Sequence, residues 1–189
     1  MTRACLIPPT GKAADAVQSL VAPIPRIETE RLVLRAPSLN DWPFLEPIWT
    51  SDRAKHIGGP FSAKEGFEDF AMTVSSWLLR GFGSLTIEAK DDGAVLGLVL
   101  LGHEWWDLEP ELGWLLTAKA EGKGIATEAA TALRELGVEL FGDGGFVSYV
   151  ASENLKSIAV AERLCAVPDP APHPVDETVL VYRHSGDPK

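Results

Sequence analysis

The chain has 189 residues, of which 46% are hydrophobic and 23% charged, which is typical of one soluble domain that buries a core without disulfides or metal. Seventeen Lys and Arg residues stand against 27 Asp and Glu, and the net charge of −10 argues against a nucleic-acid partner. A field of this sign attracts a cationic substrate, although solubility alone also explains it. No stretch approaches the roughly 20 apolar residues that cross a bilayer, so we expect no membrane partner.

The two cysteines, Cys5 and Cys165, lie far apart in the sequence and do not have the spacing of metal ligands. The opening segment, Met1–Pro9, has too short an apolar run for a signal peptide. We therefore expect a reduced, cytoplasmic protein without a bound metal.

The first 25 residues carry prolines around an Ala-rich piece, Lys12–Val21, that predicts a short helix. We interpret residues 1–25 as an N-terminal extension and residues 26–186 as the functional domain. An extension of this kind can be an arm that packs on a neighbour, so a homodimer is one expectation.

The domain opens with a predicted strand, ERLVLRAP at 30–37, in which leucines alternate with charged or smaller residues. Ser38 with Asp41, and Ser62 with Glu65, resemble capping boxes, and each pair precedes a predicted helix. The second of these helices carries an apolar stripe at helical spacing. Its members are Phe67, Phe70, Val74, Trp77 and Leu78.

Three predicted strands follow the second helix. Gly83–Lys90 leads into Asp91-Asp92-Gly93, a strong hairpin turn, and Ala94–Gly102 returns from it. After the loop HEWWDLEP, the segment Glu111–Thr117 predicts the third strand.

A glycine-containing segment, EGKGIATEAA at 121–130, opens a predicted helix that runs to about Phe141. The residues predicted to form its buried face are Ile125, Ala129, Leu133, Leu136 and Leu140. Those predicted to face water are Glu128, Arg134, Glu135 and Glu139.

The last part of the chain predicts a strand at Gly145–Ala151, a helix at Asn154–Leu164 and a closing strand at Glu177–His184. The proline-rich stretch VPDPAPHP between the last two is predicted to be a loop. The order of all these elements predicts an α/β fold whose sheet has mixed strand directions.

The glycine segment is unusual because a good helix begins with two glycines and a lysine. A plain turn, a nucleotide phosphate loop and a site for another diphosphate are the alternatives. A phosphate loop requires G-x-x-x-x-G-K-[ST], but here Lys123 is followed by Gly124 and no hydroxyl residue is placed to hold magnesium. A dinucleotide fingerprint belongs to the first strand–turn–helix unit, so it does not fit either.

The remaining alternatives differ in whether the turn binds a ligand. Gly122, Gly124 and Ala126 allow the backbone to bend and to approach a ligand closely. The free N–H groups at the start of the helix then carry a partial positive charge, which suits a diphosphate. Taken alone, the segment is better explained by an ordinary tight turn.

Four motifs in a fixed order favour the diphosphate site. They are I-E-T-E-R-L-V-L-R, E-L-G-W-L-L, G-K-G-I-A-T-E-A and N-x-x-S-x-x-V-x-E-R-L. From about Arg26 to His184 this succession resembles the Gcn5-related N-acetyltransferase (GNAT) superfamily, and within it the RimJ/RimL branch of ribosomal-protein N-terminal acetyltransferases. The resemblance implies a strongly twisted mixed sheet with a splayed strand pair, flanked by helices, and acetyl-CoA as the cosubstrate.

The resemblance places the diphosphate of acetyl-CoA on the backbone of the glycine segment and its pantetheine arm along the preceding, splayed strand. The Leu115 N–H is the expected donor to the thioester oxygen. The cofactor-binding residues implied in this way are Trp114, Leu115, Leu116, Thr117, Glu121, Gly122, Lys123, Gly124, Ile125, Ala126, Thr127, Asn154 and Ser157. No metal is implied.

One departure from the family motif [Q/R]-x-x-G-x-[G/A] lies at Glu121, which occupies the Gln/Arg position. A carboxylate there removes a donor or cation from the neighbourhood of a phosphate. Lys119 and Lys123 are the residues expected to compensate, although both are also explained as solvated surface lysines.

Acetyl transfer requires a neutral amine, and then a proton for the departing thiolate. An α-amine with a pKa near 8 is about a tenth neutral at pH 7, whereas a lysine amine is under about a thousandth neutral. Glu111 matches the family's glutamate at the start of the splayed strand and is the candidate base, acting through water. An ordinary solvated carboxylate at a strand end is the alternative.

Asn154 is predicted to cap the last helix by accepting from the Ser157 N–H, and the resemblance adds a contact of the same amide with CoA. Ser157 matches the RimL-like serine that protonates or hydrogen-bonds the departing sulfur. A serine in the first turn of any helix is the alternative explanation.

Two further features lie near the predicted site. The loop residues His103, Glu104, Trp105 and Trp106 are candidates for lining the acceptor pocket, with packing at the edge of the core as the alternative. Cys165 stands where the family has a glycine at a helix end, so we expect local strain there.

These observations predict a single-domain, acetyl-CoA-dependent N-acetyltransferase that acts directly on a primary amine, either a protein N terminus or a small molecule. A non-catalytic acyl-CoA-binding or regulatory module on the same fold is the alternative, which Glu121 and Cys165 favour. A P-loop phosphotransferase is disfavoured by the missing Lys-Ser/Thr pair.

Overall fold

A computed structural model describes residues 3–185 of the chain, so the start of the predicted extension and the last residue of the predicted domain lie outside the described residues. The α-helices are α1 Lys12–Val21, α2 Trp42–Thr50, α3 Ala63–Arg80, α4 Ile125–Phe141 and α5 Leu155–Arg163. The strands are β1 Ile27–Glu28, β2 Leu32–Arg35, β3 Ser84–Ala89, β4 Val95–Gly102, β5 Glu111–Leu116, β6 Phe146–Ala151, β7 Val167–Asp169 and β8 Val179–His184. Short 3-10 segments lie at Ala4–Leu6 and Asp52–His56. None of the helices in this range has the length and apolar character of a membrane span.

The strands form one 8-stranded sheet in the order β1-β2-β3-β4-β5-β6-β8-β7. All neighbouring strands are antiparallel except β5 and β6, which run parallel. The predicted α/β fold with mixed strand directions is therefore confirmed. The hairpin between β3 and β4 is also confirmed, with Gly93 at a φ of 69° and the Asp92 carboxylate accepting from the Ala94 N–H at 2.9 Å.

The parallel pair β5–β6 is splayed, as the family resemblance implies. β4 and β5 are in register from Gly102↔Glu111 to Gly97↔Leu116, whereas β5 and β6 meet only at Glu111↔Val147. Beyond that pair the two strands diverge, and a gap opens toward the C-terminal end of β5. This gap is called the β5–β6 gap below.

Successive side chains of a strand point to opposite faces of the sheet. Helices pack against both of these faces. On β4, Leu98 packs in a cluster with α2 and α3, while Val99 packs with α4 on the other face. The cluster on the α2–α3 side contains the buried rings of Trp42, Trp49 and Phe70. The larger cluster, on the α4 side, holds that helix against the strands next to the β5–β6 gap.

Helix starts were predicted with mixed success. The Ser62–Glu65 capping box is present at the start of α3, and α1 has its predicted bounds. Only half of the box predicted at Ser38 is present: the Asp41 carboxylate accepts from the Ser38 N–H at 2.9 Å, but the Ser38 hydroxyl accepts from the Asn40 N–H, and α2 begins at Trp42. The same carboxylate forms a salt bridge of 2.8 Å with Arg35 of β2.

The predicted faces of two helices need correction near their C-terminal ends. Leu78 of α3 and Leu140 of α4 are exposed, and on α4 the ring of Phe141 packs in place of Leu140, 5.0 Å from the ring of Phe82. Arg134 was predicted to face water but is buried, because its guanidinium donates to the Leu164 carbonyl at 2.6 Å. Hydrophobic periodicity does not register such a tertiary hydrogen bond.

The proline-rich stretch after α5 was predicted to be a loop, and its first residues are instead strand β7. Val167–Asp169 pairs antiparallel with β8 at the edge of the sheet. An edge strand tolerates Pro168 because one side of it needs no ladder hydrogen bonds.

Candidate active site

The glycine segment forms a tight turn that ends at the start of α4. Gly122 and Gly124 have φ angles of 71° and 76°, in the left-handed region that favours glycine. Gly124 is the N-cap of α4 and has no side chain with which to occupy the helix start. The backbone of the turn is therefore left open to a ligand.

The amides of this turn are available for an anion. Residues 121–124 form turns, and within residues 3–185 none of the N–H groups of 122–127 makes a hydrogen bond of good geometry. They lie at the N-terminal end of a helix of 17 residues, where the peptide dipoles give a partial positive charge. Free amides at such a position suit a phosphate or diphosphate.

The turn is held in place by Glu128, which was predicted to face water. That prediction is wrong, because the Glu128 carboxylate accepts from the Arg31 side chain at 2.7 Å and from the Arg31 backbone N–H at 2.9 Å. Arg31 also donates to the Lys123 carbonyl at 3.0 Å, inside the turn. Strand β2 and the glycine turn are thus joined through these two charged side chains.

Glu121 is ion-paired with two cations and does not simply add a negative charge beside the turn. Its carboxylate accepts from Arg53 of the 3-10 segment and, at 2.7 Å, from Lys156 of α5. Partial burial acts to raise the pKa of Glu121, but the hydrogen bonds and charges of Lys156 and Arg53 outweigh it and lower that pKa. The cations held at the turn are therefore Arg53 and Lys156, where the sequence suggested Lys119 and Lys123.

Arg53 was not singled out from the sequence, although it also reaches the splayed strand. Its Nη2 donates to the Leu116 carbonyl at 2.8 Å, at the wide end of the β5–β6 gap. Its Nε is buried and has no hydrogen-bond partner in the described part of the chain. The short segment D-R-A-K-H gives no sequence signal for this position, because the contact depends on how the 3-10 turn packs against β5.

The direction of each peptide group on β5 follows from its pairing with β4. Thr117 N–H donates to the Leu96 carbonyl at 2.8 Å, and the direction alternates along a strand. The Leu115 N–H therefore points toward β4, so it cannot donate into the β5–β6 gap as was expected. The peptide N–H groups of Trp114 and Leu116 point into the gap instead.

Glu111 lies at the narrow end of the gap, next to the single pair between β5 and β6. Burial raises the pKa of Glu111 to about 8, and the negative charges of Asp107 and Glu104 add to the rise. The nearby Tyr149 backbone amide acts in the opposite direction, toward a lower pKa. A carboxylate with a pKa near 8 can take up a proton from an amine close to neutral pH.

Ser157 and Asn154 lie on the α5 side of the gap. Asn154 caps α5 by accepting from the Ser157 N–H at 3.2 Å, so the predicted cap is confirmed. The Ser157 hydroxyl accepts from the indole Nε1–H of Trp114 at 3.3 Å. The two predicted site residues on α5 and the side chain of Trp114 are thereby brought together.

The loop between β4 and β5, next to Glu111, carries exposed aromatic side chains and several acidic ones. Trp105 is 88% exposed and Trp106 is 60% exposed, so neither packs at the edge of the core. The pKa of Glu104 is raised by partial burial of its carboxyl group and by the negative charges of Asp107 and Asp69. Carboxylates from the loop, from α3 and from β5 are therefore close enough to influence one another.

The comparisons with known proteins agree with this geometry. A family model described as an acetyltransferase (GNAT) domain matches residues 31–166. The solved acetyltransferase from Agrobacterium tumefaciens is 37% identical, with a TM-score of 0.81 over 86% of this chain and 95% of that chain.

Two more distant structures share the fold and were solved with ligands. The microcin C7 self-immunity acetyltransferase MccE, solved with acetyl-CoA and AMP, has 19% identity and a TM-score of 0.62 over 83% of this chain and 93% of that chain. RimL, a ribosomal L7/L12 α-N-protein acetyltransferase solved with coenzyme A, has 19% identity and a TM-score of 0.68 over 85% of this chain and 98% of that chain. From the family match and the 37% identity, the chain belongs to the GNAT acetyltransferase family and is an N-acetyltransferase.

Proposed function

We propose that this enzyme transfers the acetyl group of acetyl-CoA directly to a primary amine, either a protein N terminus or a small molecule. The observation that carries the proposal is the open path between two groups of residues. Free backbone amides at 122–127 lie beyond the wide end of the β5–β6 gap, and Glu111 lies at its narrow end. A ligand with a diphosphate at one end and a reactive acyl group at the other matches that path.

The diphosphate is assigned to the glycine turn. The amides of 122–127 would hold it, assisted by the nearby cations Arg53 and Lys156. Arg53 and Lys156 together carry one more unit of charge than the Glu121 carboxylate that anchors them. This surplus offsets the departure of Glu121 from the family motif.

The pantetheine arm is assigned to the β5 edge of the gap. The peptide groups of Trp114 and Leu116 point into the gap, where they can pair with the amides of the arm as a neighbouring strand would. The amide facing the thioester oxygen is then one of these two, and not that of Leu115. Acetyl-CoA, when bound, supplies the activated acetyl group.

The proton transfers are assigned to two side chains. Glu111 accepts the proton of the attacking amine, directly or through water, and its pKa of about 8 lies close to that of an α-amine. Ser157 donates a hydrogen bond or a proton toward the departing sulfur. The Ser157 proton is available because its oxygen already accepts from the Trp114 indole.

The acceptor is proposed to arrive as a cation and to lose its proton inside the site. Glu104, Asp107 and Asp69 provide negative potential beside Glu111, and the net charge of −10 acts in the same direction. The exposed rings of Trp105 and Trp106 offer faces for contact with a cationic group. The resemblance of the sequence to the RimJ/RimL branch supports a protein N terminus among the possible amines.

The remaining assignments concern the domain boundaries, the oligomeric state and the location of the enzyme. We assign residues 1–25 to an extension and 26–186 to the catalytic domain; α1 has no buried residue, and its Val17 and Leu20 are exposed. An exposed apolar arm supports packing on a second copy, which sedimentation of the chain with and without residues 1–25 would test. Free cysteines at positions 5 and 165 support a cytoplasmic location.

The function is tested in two steps. Calorimetric titration with acetyl-CoA is expected to give a micromolar dissociation constant, and no binding at millimolar ligand would remove the proposal. Release of free CoA thiol is then measured with α-amine peptides, small amines and lysine side-chain amines. Binding without thiol release for any amine would favour the non-catalytic acyl-CoA-binding module instead.

A further inference from the structure

The pairing of β5 with β6 stops after one position, and the next hydrogen bonds of a regular ladder can be identified. Val147 N–H donates to the Pro110 carbonyl at 3.0 Å, which fixes the register of the parallel pair. In a regular parallel ladder, the next two bonds would run from Tyr149 N–H to the Leu112 carbonyl and from Trp114 N–H to the Tyr149 carbonyl. The structure does not continue the pairing in this way.

The Leu112 carbonyl is occupied by a side chain. The Ser148 hydroxyl donates to it from β6, in the place where the Tyr149 N–H would bind. Ser148 is 1% exposed and Leu112 is fully buried, so water does not compete for this hydrogen bond. A hydroxyl group therefore ends one side of the ladder.

The Ser148 hydroxyl is in turn oriented by His184 of β8. The His184 Nε2 lies 2.8 Å from the Ser148 oxygen, and both side chains are buried. Because the single hydroxyl proton of Ser148 is directed at Leu112, the imidazole must be the donor in this contact. His184 therefore carries a proton on Nε2, as one of the two neutral forms of imidazole does.

The surroundings of His184 favour that neutral form. Burial, followed by the positive charge of Arg134, lowers the pKa of His184 to about 4. Its ring stacks on Phe146 with a centroid distance of 5.3 Å, and its Nδ1 has no hydrogen-bond partner among residues 3–185. The imidazole thus serves as a fixed neutral donor, held by packing.

A side chain also faces the other group of the missing ladder step. The Tyr149 N–H is close enough to the carboxylate of Glu111, the candidate base, to act on its pKa. Side chains therefore face both partners of the missing Tyr149–Leu112 hydrogen bond. As a result, the position where β5 and β6 separate and the position of Glu111 are set by the same local arrangement.

We infer that Ser148 and His184 are positioning residues that end the β5–β6 pairing and hold open the gap that receives the cofactor. The inference rests on the proposed function, because the gap matters only if acetyl-CoA binds in it. Neither side chain is assigned a contact with substrate or cofactor. Their effect is exerted through Leu112 and Tyr149, whose peptide groups would otherwise close the next step of the ladder.

The decisive variant is Ser148→Ala, which frees the Leu112 carbonyl to accept the Tyr149 N–H. The backbone N–H of Trp114 would then pair with the Tyr149 carbonyl. In the CoA-free variant it is expected to exchange with solvent at least about tenfold more slowly than in the CoA-free wild type. The dissociation constant of acetyl-CoA is expected to rise at least about tenfold, because the gap is narrower by one ladder step. Amide exchange followed by NMR and calorimetric titration give the two readouts.

Ser84→Ala is the matched control for simple loss of a buried hydroxyl. Ser84 is fully buried on β3, and its hydroxyl lies 3.1 Å from that of Thr73, far along the sheet from β6. This variant should lower the unfolding temperature without changing Trp114 exchange or acetyl-CoA binding. His184→Gln retains an N–H donor and should stay close to the wild type in both readouts, whereas His184→Leu should follow Ser148→Ala and serves in its place if that variant does not fold.

The outcomes separate this inference from the proposed function. If the wild type fails to bind acetyl-CoA, the function is lost, but the change in Trp114 exchange still tests the role of Ser148. The inference is overturned if the wild type binds acetyl-CoA but Ser148→Ala matches Ser84→Ala in the exchange of the Trp114 backbone N–H and in acetyl-CoA affinity. Ser148 and His184 would then have a purely structural role. Slow solvent exchange of the Trp114 backbone N–H in the CoA-free wild type would also overturn the inference.

Discussion

The indole Nε1 of Trp114 lies 3.3 Å from the Oγ of Ser157, which joins the splayed strand β5 to the first turn of α5. An indole N–H can only donate, so the serine oxygen is the acceptor and its own proton remains free for another partner. In the proposed reaction that partner is the departing sulfur.

Ser157→Ala is expected to lower kcat by about tenfold, a modest loss because a thiolate is already a good leaving group. The acetyl-CoA dissociation constant should change less than about twofold, since one hydrogen bond to a neutral group is lost. Steady-state kinetics and calorimetry measure the two quantities. An acetyl thioester with a more acidic thiol is the control, because the deficit of Ser157→Ala should shrink with it, and an unchanged deficit would argue against a role at the sulfur.

The raised pKa of Glu111 predicts the pH dependence of turnover. With a weakly basic amine that stays neutral throughout, kcat/KM should rise about tenfold per pH unit up to about pH 8 and then level off. Glu111→Gln should lose about a hundredfold or more in kcat/KM and show no such rise, with little change in acetyl-CoA affinity. Full activity of this variant would remove Glu111 from the mechanism.

The raised pKa of Glu111 also predicts that the stability of the fold falls as the pH rises, whereas turnover increases. Because the folded protein binds the Glu111 proton more tightly than the unfolded chain does, the associated stabilisation is fully present below the unfolded pKa and is lost as the pH rises through about 8. Glu111→Gln should therefore unfold near the wild-type temperature at about pH 5 and above it at about pH 9. Glu135→Gln, an exposed carboxylate on α4, is the control and should show no pH-dependent difference.

The parts of the site that sequence predicted are those determined by local chemistry. The left-handed glycines at 122 and 124, the Asn154 cap and the α4 helix start each depend on a few adjacent residues. Such features appear in the sequence because the chain must adopt a particular φ or satisfy a particular amide. Hydrophobic alternation located β2 to β6 and β8 in the same way, whereas the short edge strands β1 and β7 were not predicted.

The features that sequence missed depend on tertiary register. Leu115 was expected to face the gap, but strand alternation alone cannot decide which side an amide faces until the pairing of β5 with β4 is known. Arg53 and Glu121 are separated by 68 positions, and Ser148 and His184 by 36. Neither pair has a spacing rule that would predict its contact.

Lys156, which is ion-paired with Glu121 beside the glycine turn, is predicted to contribute measurably to acetyl-CoA binding. Lys156→Met removes an exposed cation beside the glycine turn and is expected to raise the acetyl-CoA dissociation constant about threefold to tenfold, with a smaller effect at high salt. Lys64→Met is the matched control, since Lys64 is also exposed and paired with a glutamate, on α3 away from the turn. Equal effects of the two substitutions would indicate general electrostatics and not a local contact.

Cys165 bears out the expectation of strain at the end of α5. Among residues 3–185 it is the non-glycine residue with a positive φ, which is 56°. It ends the helix in a Schellman motif, in which the Ala166 N–H donates to the Ala161 carbonyl at 3.1 Å. Cys165→Gly removes the steric cost of the left-handed conformation and should stabilise the protein by about 1 kcal/mol. Thermal unfolding measures the shift.

Cys165→Ala separates backbone strain from the chemistry of the thiol. Alanine keeps a Cβ at the same left-handed position, so it should leave the unfolding temperature close to that of the wild type, whereas glycine should raise it. Acetyl-CoA affinity should be unchanged in both variants, because the residue lies at the opposite end of α5 from Asn154 and Ser157. If alanine stabilised the protein as much as glycine, the cost at this position would come from the exposed sulfur and not from the backbone conformation.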